Sequence, residues 1–346
     1  MKILVTTNAA PFVRGGAEEL ADHLVHHLNA RSGIRAELLR IPFRWDPAER
    51  LIEEMVLNRA LKLYNVDRVV GLKFPAYLIP HHDKMLWLVH QYRQAYDLYR
   101  DGYSNIETGP AGQRIVDAIK MADNACFREV KKIYTISPVV KDRLERFNGF
   151  PAEVLHHPLN DPERFGGGDF LPYIVAGGRV SRGKRQHLLV EAMEHVRAAV
   201  KLIVAGPLES KEYGDELVAL AKKLGLTNRV EFRFGFRPRD EIVGLVNDAL
   251  ACAAAPVDED SISYVAMEAL AAGKSVVTTK DAGGLLEVVH DGRTGFVTAP
   301  TAAALGAAME RLGSDHTLAR SLGASARDRW QELDISWDSR IERLLS

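Results

Sequence analysis

Apolar and polar positions switch repeatedly between two periods along the chain. Lys2 to Thr7 is a short β-branched run. After the loop Ala9 to Gly16, the apolar residues Leu20, Leu24, Val25 and Leu28 recur at helical spacing, which predicts a helix over Ala17 to Ala30. The alternation continues with strands at Arg35 to Ile41, Asp67 to Leu72, Met85 to His90 and Lys132 to Ile136. Between them the pattern predicts helices at Leu51 to Tyr64, Arg114 to Val130 and Val139 to Phe147. Val154 to His157 closes this half. Short apolar runs between helices are the mark of parallel strands covered on both faces.

Asn160 to Gly168 is rich in turn formers and reads as a linker. The rhythm then restarts. Strands are expected at Tyr173 to Ala176, Lys201 to Ala205, Val230 to Phe234, Leu250 to Ala254 and Ser275 to Thr278. Helices are expected at Gln186 to Met193, Glu212 to Leu224, Arg239 to Asn247 and Ser263 to Ala272, with the last helices running from Ala302 to the end. Two βα series imply an α/β protein of two Rossmann-like domains, with ligands bound at strand carboxyl ends in the cleft between them. The expected division is 1–165 and 166–325, followed by a terminal segment, 326–346.

A length of 346 residues favours two domains over one core. A formal net charge of −1 argues against nucleic acid as the main partner. Cys126 and Cys252 stand in apolar surroundings and in no ligand spacing, so two reduced, buried thiols are expected. The opening apolar run is too short for a signal peptide, and no stretch reaches the roughly 20 apolar residues of a membrane span. These features point to the cytoplasm, with at most a docked position at a membrane face. The basic residues Arg128, Lys131, Lys132, Lys141, Arg143 and Arg146 leave peripheral membrane contact open beside a plain solvated helix face.

The chemistry-bearing segments concentrate in the second half. Gly178-Arg179-Val180-Ser181-Arg182-Gly183-Lys184 follows a strand directly. Its guanidinium and ammonium can converge on a diphosphate, or form a solvated basic turn. Asp260 and Glu268 lie eight residues apart across a loop and a helix start. Backbone amides near Ser261, Ile262, Ser263 and Tyr264 suit an anion. Glu268 can accept hydrogen bonds from a ribose diol, and Asp260 can face a sugar; a carboxylate so near a helix start also serves as a plain dipole partner.

Taken together, these segments resemble the retaining nucleotide-sugar glycosyltransferases of the GT4 type, which have the GT-B fold. Arg179 and Lys184 stand where that family places its diphosphate-binding Arg and Lys. Its Glu, seven residues, Glu motif reads Asp260, seven residues, Glu268, followed by Ala-Leu-Ala-Ala-Gly273. Asp260 is a departure that keeps the charge and shortens the reach, and Ser263 stands at the family's Gly. The stretch ending Phe234-Gly235-Phe236 resembles the strand and Gly turn beside the nucleotide base. Ala282-Gly283-Gly284 and Asp291-Gly292 resemble late motifs, and the Trp337 segment resembles the closing helix that returns to the first domain. In the first half, Gly15 and Gly16 resemble the family's Gly-Gly loop rather than a dinucleotide fingerprint. His90 resembles its histidine on the transferred sugar.

The resemblance implies transfer of a sugar from a donor such as a UDP- or GDP-sugar to a glycan, lipid-linked or small-molecule acceptor. Arg179 and Lys184 would stabilise the departing diphosphate, so neither metal nor cofactor is expected. Arg93, Tyr96 and Asp97 are expected to line the acceptor side, and Ser137, after the strand Lys132 to Ile136, is expected as another cleft residue. The adjacent pairs His81-His82 and His156-His157 are not read as metal ligands, because neighbours on a strand face opposite ways. Two other readings stand beside transfer: a nucleotide-sugar epimerase and a non-catalytic sugar-nucleotide binding protein.

Overall fold

A computed structural model describes residues 1–12 and 14–346; Val13, inside the expected loop Ala9 to Gly16, lies outside them. The chain forms two compact units, Met1–Pro158 with Ile335–Ser346, and Leu159–Asp334.

The first unit is built on six strands: β1 (Lys2–Ala9), β2 (Arg35–Pro42), β3 (Arg68–Lys73), β4 (Lys84–His90), β5 (Lys132–Thr135) and β6 (Glu153–Val154). Their order is β2-β1-β3-β4-β5-β6, and every pairing is parallel. The helices are α1 (Gly16–Asn29), α2 (Leu51–Ala60), α3 (Asp97–Arg100), α4 (Pro110–Glu129) and α5 (Pro138–Asn148). Helix α1 turns Leu20, Leu24 and Leu28 onto the sheet, as the periodicity requires. Central strand β4 is buried at every position except His90, at its carboxyl end. Helix α2 ends at Ala60 rather than Tyr64, because Leu61 already takes an extended conformation.

The second unit repeats the plan with β7 (Leu171–Gly177), β8 (Lys201–Gly206), β9 (Val230–Phe234), β10 (Ala249–Ala253), β11 (Val276–Thr279) and β12 (Gly295–Thr298). Helices α6 (Gln186–Ala192), α7 (Lys211–Lys223), α8 (Arg239–Asp248), α9 (Tyr264–Ala271), α10 (Ala302–Ser314) and α11 (His316–Leu333) flank them. The order β12-β11-β10-β7-β8-β9 is the doubly wound arrangement of dinucleotide-type folds. Its direction reverses between β7 and β10, which opens a crevice at their carboxyl ends. In the first sheet the reversal falls between β1 and β3.

The last helix, α12 (Trp337–Leu345), belongs to the first unit. Trp337 stacks on His27 of α1 with ring centroids 4.6 Å apart, and Tyr134 Oη donates to the Arg343 carbonyl at 2.9 Å. The expected terminal segment 326–346 is thus shared: 326–333 completes α11 in the second unit. The expected linker Asn160 to Gly168 is also more than a tether. Phe165 is buried, and Asp161 and Arg164 make ion pairs to α8.

Candidate active site

Three glycines line the carboxyl ends of adjacent strands in the second unit: Gly178 after β7, Gly206 ending β8 and Gly235 after β9. Their φ angles are +88°, +147° and +96°. A Cβ on Gly206 would stand 2.0 Å from the Gly178 carbonyl oxygen, so only glycine lets the two chain segments approach this closely. The loops beyond are laced by backbone bonds from Val180 N to Pro207 O and from Glu209 N to Val180 O, both 2.9 Å.

Arg179 and Lys184 share the loop after β7 but look to different neighbours. Arg179 is about half exposed, with Glu209 of the β8 loop 3.9 Å away. Lys184 lies deeper and its Nζ donates to Glu259 of the β10 loop. The neighbouring Arg185, at φ +52°, braces the turn: it donates to Ala255 O at 2.7 Å, Pro256 O at 2.9 Å, Thr279 Oγ1 at 2.8 Å and Asp281 Oδ1 at 2.7 Å. The loops after β7, β10 and β11 are thereby fixed to one another. Sequence spacing singled out Lys184 and missed Arg185 and Glu259; the run Arg182-Gly183-Lys184-Arg185 and the acids Asp258-Glu259-Asp260 were the available signals.

The β10 loop carries Asp260 and Ser261 toward α9. It packs under Gly283 and Gly284, where added Cβ atoms would come within 2.4 Å of Glu259 O and 2.5 Å of Ser261 C. Ile262 is buried. Ser263 caps α9, its Oγ accepting from Ala266 N at 3.4 Å, and does so at φ +59°, the backbone region that favours glycine. Tyr264 opens the helix. Glu268 follows one turn later and is buried, with Arg239 donating to its Oε1. Burial pushes the Glu268 carboxyl up, against the pull of Arg239.

In the first unit the expected residues gather near the reversal point. Gly15 and Gly16 precede and open α1, and Glu18 in its first turn pairs with Lys73 of β3 at 3.2 Å. His90 is in register with Lys73, and its Nδ1 is 2.5 Å from the Gln91 carbonyl. A hollow of about 320 Å³ at the ends of β1 and β2 is lined by Arg14, Glu18, Arg40 and the segment 9–12. Two expectations are corrected. Ser137 is fully buried as the cap of α5, accepting from Val140 N at 3.1 Å. Tyr96 points inward and donates to buried Asp123 at 2.7 Å, with Tyr77 donating to the same carboxylate at 2.9 Å. Arg93 and Asp97 pair with each other, at 2.6 Å.

Both cysteines are free and buried. Among the described residues, no three His, Cys, Asp or Glu side chains are arranged to hold a metal ion, and no helix is long and apolar enough to cross a membrane.

Two doubly wound units, one with a glycine-lined and cation-bearing crevice at its switch point, define an α/β protein of the GT-B class. Residues 167–329, which make up most of the second unit, match the model of glycosyl transferases group 1. D-inositol 3-phosphate glycosyltransferase of Corynebacterium diphtheriae is 29% identical over 176 residues, 49% of this chain and 40% of its own length. Alpha-maltose-1-phosphate synthase of Mycobacterium tuberculosis is 30% identical over 252 residues, 66% of this chain and 62% of its own. The chain thus spans less than two thirds of these curated relatives. The crystal structure of Anabaena HepE in complex with UDP-glucose has the same fold throughout: TM-score 0.75 at 19% identity, covering 100% of this chain and 98% of that one.

Proposed function

We propose that this protein transfers a sugar from a nucleoside-diphosphate sugar to a glycan, lipid-linked or small-molecule acceptor. The observation that carries the reading is the convergence, at one switch point, of the Lys184 loop, the glycine-lined strand ends and the start of α9. Ligands of doubly wound sheets bind at such points. The relatives agree in kind, since two are named for glycosyl transfer or synthesis of a sugar phosphate, and HepE binds UDP-glucose.

In this reading the diphosphate sits over Gly178, with Arg179 and Lys184 meeting the charge that develops as it departs. Lys184 exchanges Glu259 for a phosphate oxygen, and amides near Ser261 to Ser263 add partial positive charge. Glu268 accepts from the ribose, Asp260 from the sugar hydroxyls, Gly235 borders the base, and His90 serves the transferred sugar. Fixed cations take the part a divalent ion plays elsewhere, so transfer persists in a chelator. The transition state is oxocarbenium-like, and attack on the leaving-group face retains the anomeric configuration.

The test is a calorimetric screen of UDP, GDP and ADP, followed by their sugar conjugates with candidate acceptors, read by product NMR. Binding with transfer and an α product from an α donor supports the reading. An epimerised donor, or binding with neither transfer nor slow donor hydrolysis, refutes it.

A further inference from the structure

Glu268 poses a problem that its own motif does not solve. Glu268 is only 6% exposed, and a buried acid without a partner takes up a proton. The partner comes from outside the motif. Arg239, at the start of α8, donates through Nη1 to Glu268 Oε1. The opposite edge of its guanidinium is taken by Asp161: Nε donates to Oδ2 at 2.9 Å, and Nη2 donates to Oδ1. The planar face lies over the buried Phe165 ring, 4.9 Å from its centroid. Asp161 is held in turn by Arg164 Nη1 at 3.2 Å, and the Arg164 carbonyl by Asn247 Nδ2 at 2.9 Å. Both edges and one face of Arg239 are therefore occupied, and a fork gripped this way has one position from which to hold Glu268.

We infer that Arg239, fixed by Asp161, is a positioning residue that keeps Glu268 an ionised, oriented acceptor and thereby sets the preference of the site for a ribonucleoside over a 2′-deoxyribonucleoside diphosphate. This rests on the nucleotide-binding reading above. A carboxylate only accepts, which suits a diol that donates; a protonated acid presents a donor on one oxygen. Arg239 bonds Oε1 alone, so Oε2 is not engaged by it. The charged and titratable groups around the Glu268 carboxyl are Arg239 of α8, Asp161 ahead of β7 and the buried Cys252 thiol of β10. Burial and Asp161 push Glu268 up and Arg239 alone pulls it down, so removing Arg239 raises it further.

The experiment measures calorimetric affinities for UDP, GDP and ADP and for their 2′-deoxy forms, from pH 6.5 to 8.5. The intact protein should favour the ribose form of its nucleotide by about ten-fold or more, the worth of a hydrogen bond to a charged group, with little pH dependence. Arg239→Gln should reduce the preference for the ribose form, and most at the low-pH end of the range, where the protonated carboxyl is favoured. Arg239→Lys, which cannot serve two carboxylates with one fork, and Asp161→Asn should fall between. If Arg239→Gln does not fold, those two variants carry the test. Undiminished preference at every pH in the folded variants overturns the positioning role alone. An intact protein that binds none of the six nucleotides overturns the functional reading and this inference together.

Discussion

The strand ends of the two units are built in opposite ways. In the second unit the crevice at the β7–β10 reversal is shaped by backbone: Gly178, Gly206, Gly235, Gly283 and Gly284 let segments approach where a Cβ would collide or strain. Its charges are already matched, Lys184 with Glu259 and Arg239 with Glu268 and Asp161. In the first unit the ends of β1 to β4 are shaped by side chains, and the best-organised polar group lies beneath them. Asp123 is buried under Tyr77 and Tyr96, Asn148 Nδ2 donates to Tyr96 Oη at 3.2 Å, and Gln91 Nε2 donates to Asn148 Oδ1 at 2.9 Å, next to His90. A backbone-shaped site suits a ligand part that never changes, such as a diphosphate. Side-chain walls on a rigid sheet suit a part that varies between relatives.

The contrast can be broken most strongly at Lys184. Lys184→Ala should lower kcat by about 10²-fold or more, since a charge donor at a leaving group is worth roughly 3 kcal/mol, with the melting temperature nearly unchanged. Gly206→Ala comes next. Its methyl would collide with the Gly178 carbonyl, at 2.0 Å, and should cost about 1–3 kcal/mol in denaturant unfolding, of the size seen for overpacking. Nucleotide binding should fall with it.

In the first unit the effect should be one of pH. Burial raises Asp123 to about 7 from its ordinary range near 4. Between those values the folded state holds a proton that the unfolded state has released, so stability falls as pH rises through this window. Asp123→Asn should remove a slope of at most about 1.4 kcal/mol per pH unit, read from melts between pH 4.5 and 7.5. The smallest effect is expected at Ser263. Ser263→Gly relieves a positive φ worth about 1–3 kcal/mol, while lost capping and added chain entropy offset part of it. A gain of up to about 1 kcal/mol should follow, and a loss would show that the cap outweighs the strain.

Much of the fold was legible because hydrophobic period reports which face of each element is buried. Ten of the twelve strands were located to within about two residues; β12 was not expected, and β6 ends three residues before the expected strand does. Gly178 and Gly235 stood out as loop glycines. What escaped was set by distant side chains. Asp161 looked like part of a linker because turn formers surround it, yet its partner Arg239 is 78 residues away. Glu259 was passed over because motif spacing selects its neighbour Asp260. Arg185 acts on carbonyls and a carboxylate 70 to 96 residues on. Tyr96 was expected at the acceptor side and Ser137 in the cleft, because a loop position alone does not tell a polar residue that faces a ligand from one folded under its own loop.

In the proposed function, Lys184 with Arg179 receives the diphosphate at the carboxyl end of β7. A crystal structure with the tightest-binding nucleoside diphosphate tests it most directly. Lys184 Nζ should then lie within about 3 Å of a phosphate oxygen, its bond to Glu259 exchanged and Arg179 turned toward the same group. A diphosphate seated elsewhere, with Lys184 still on Glu259, would contradict it.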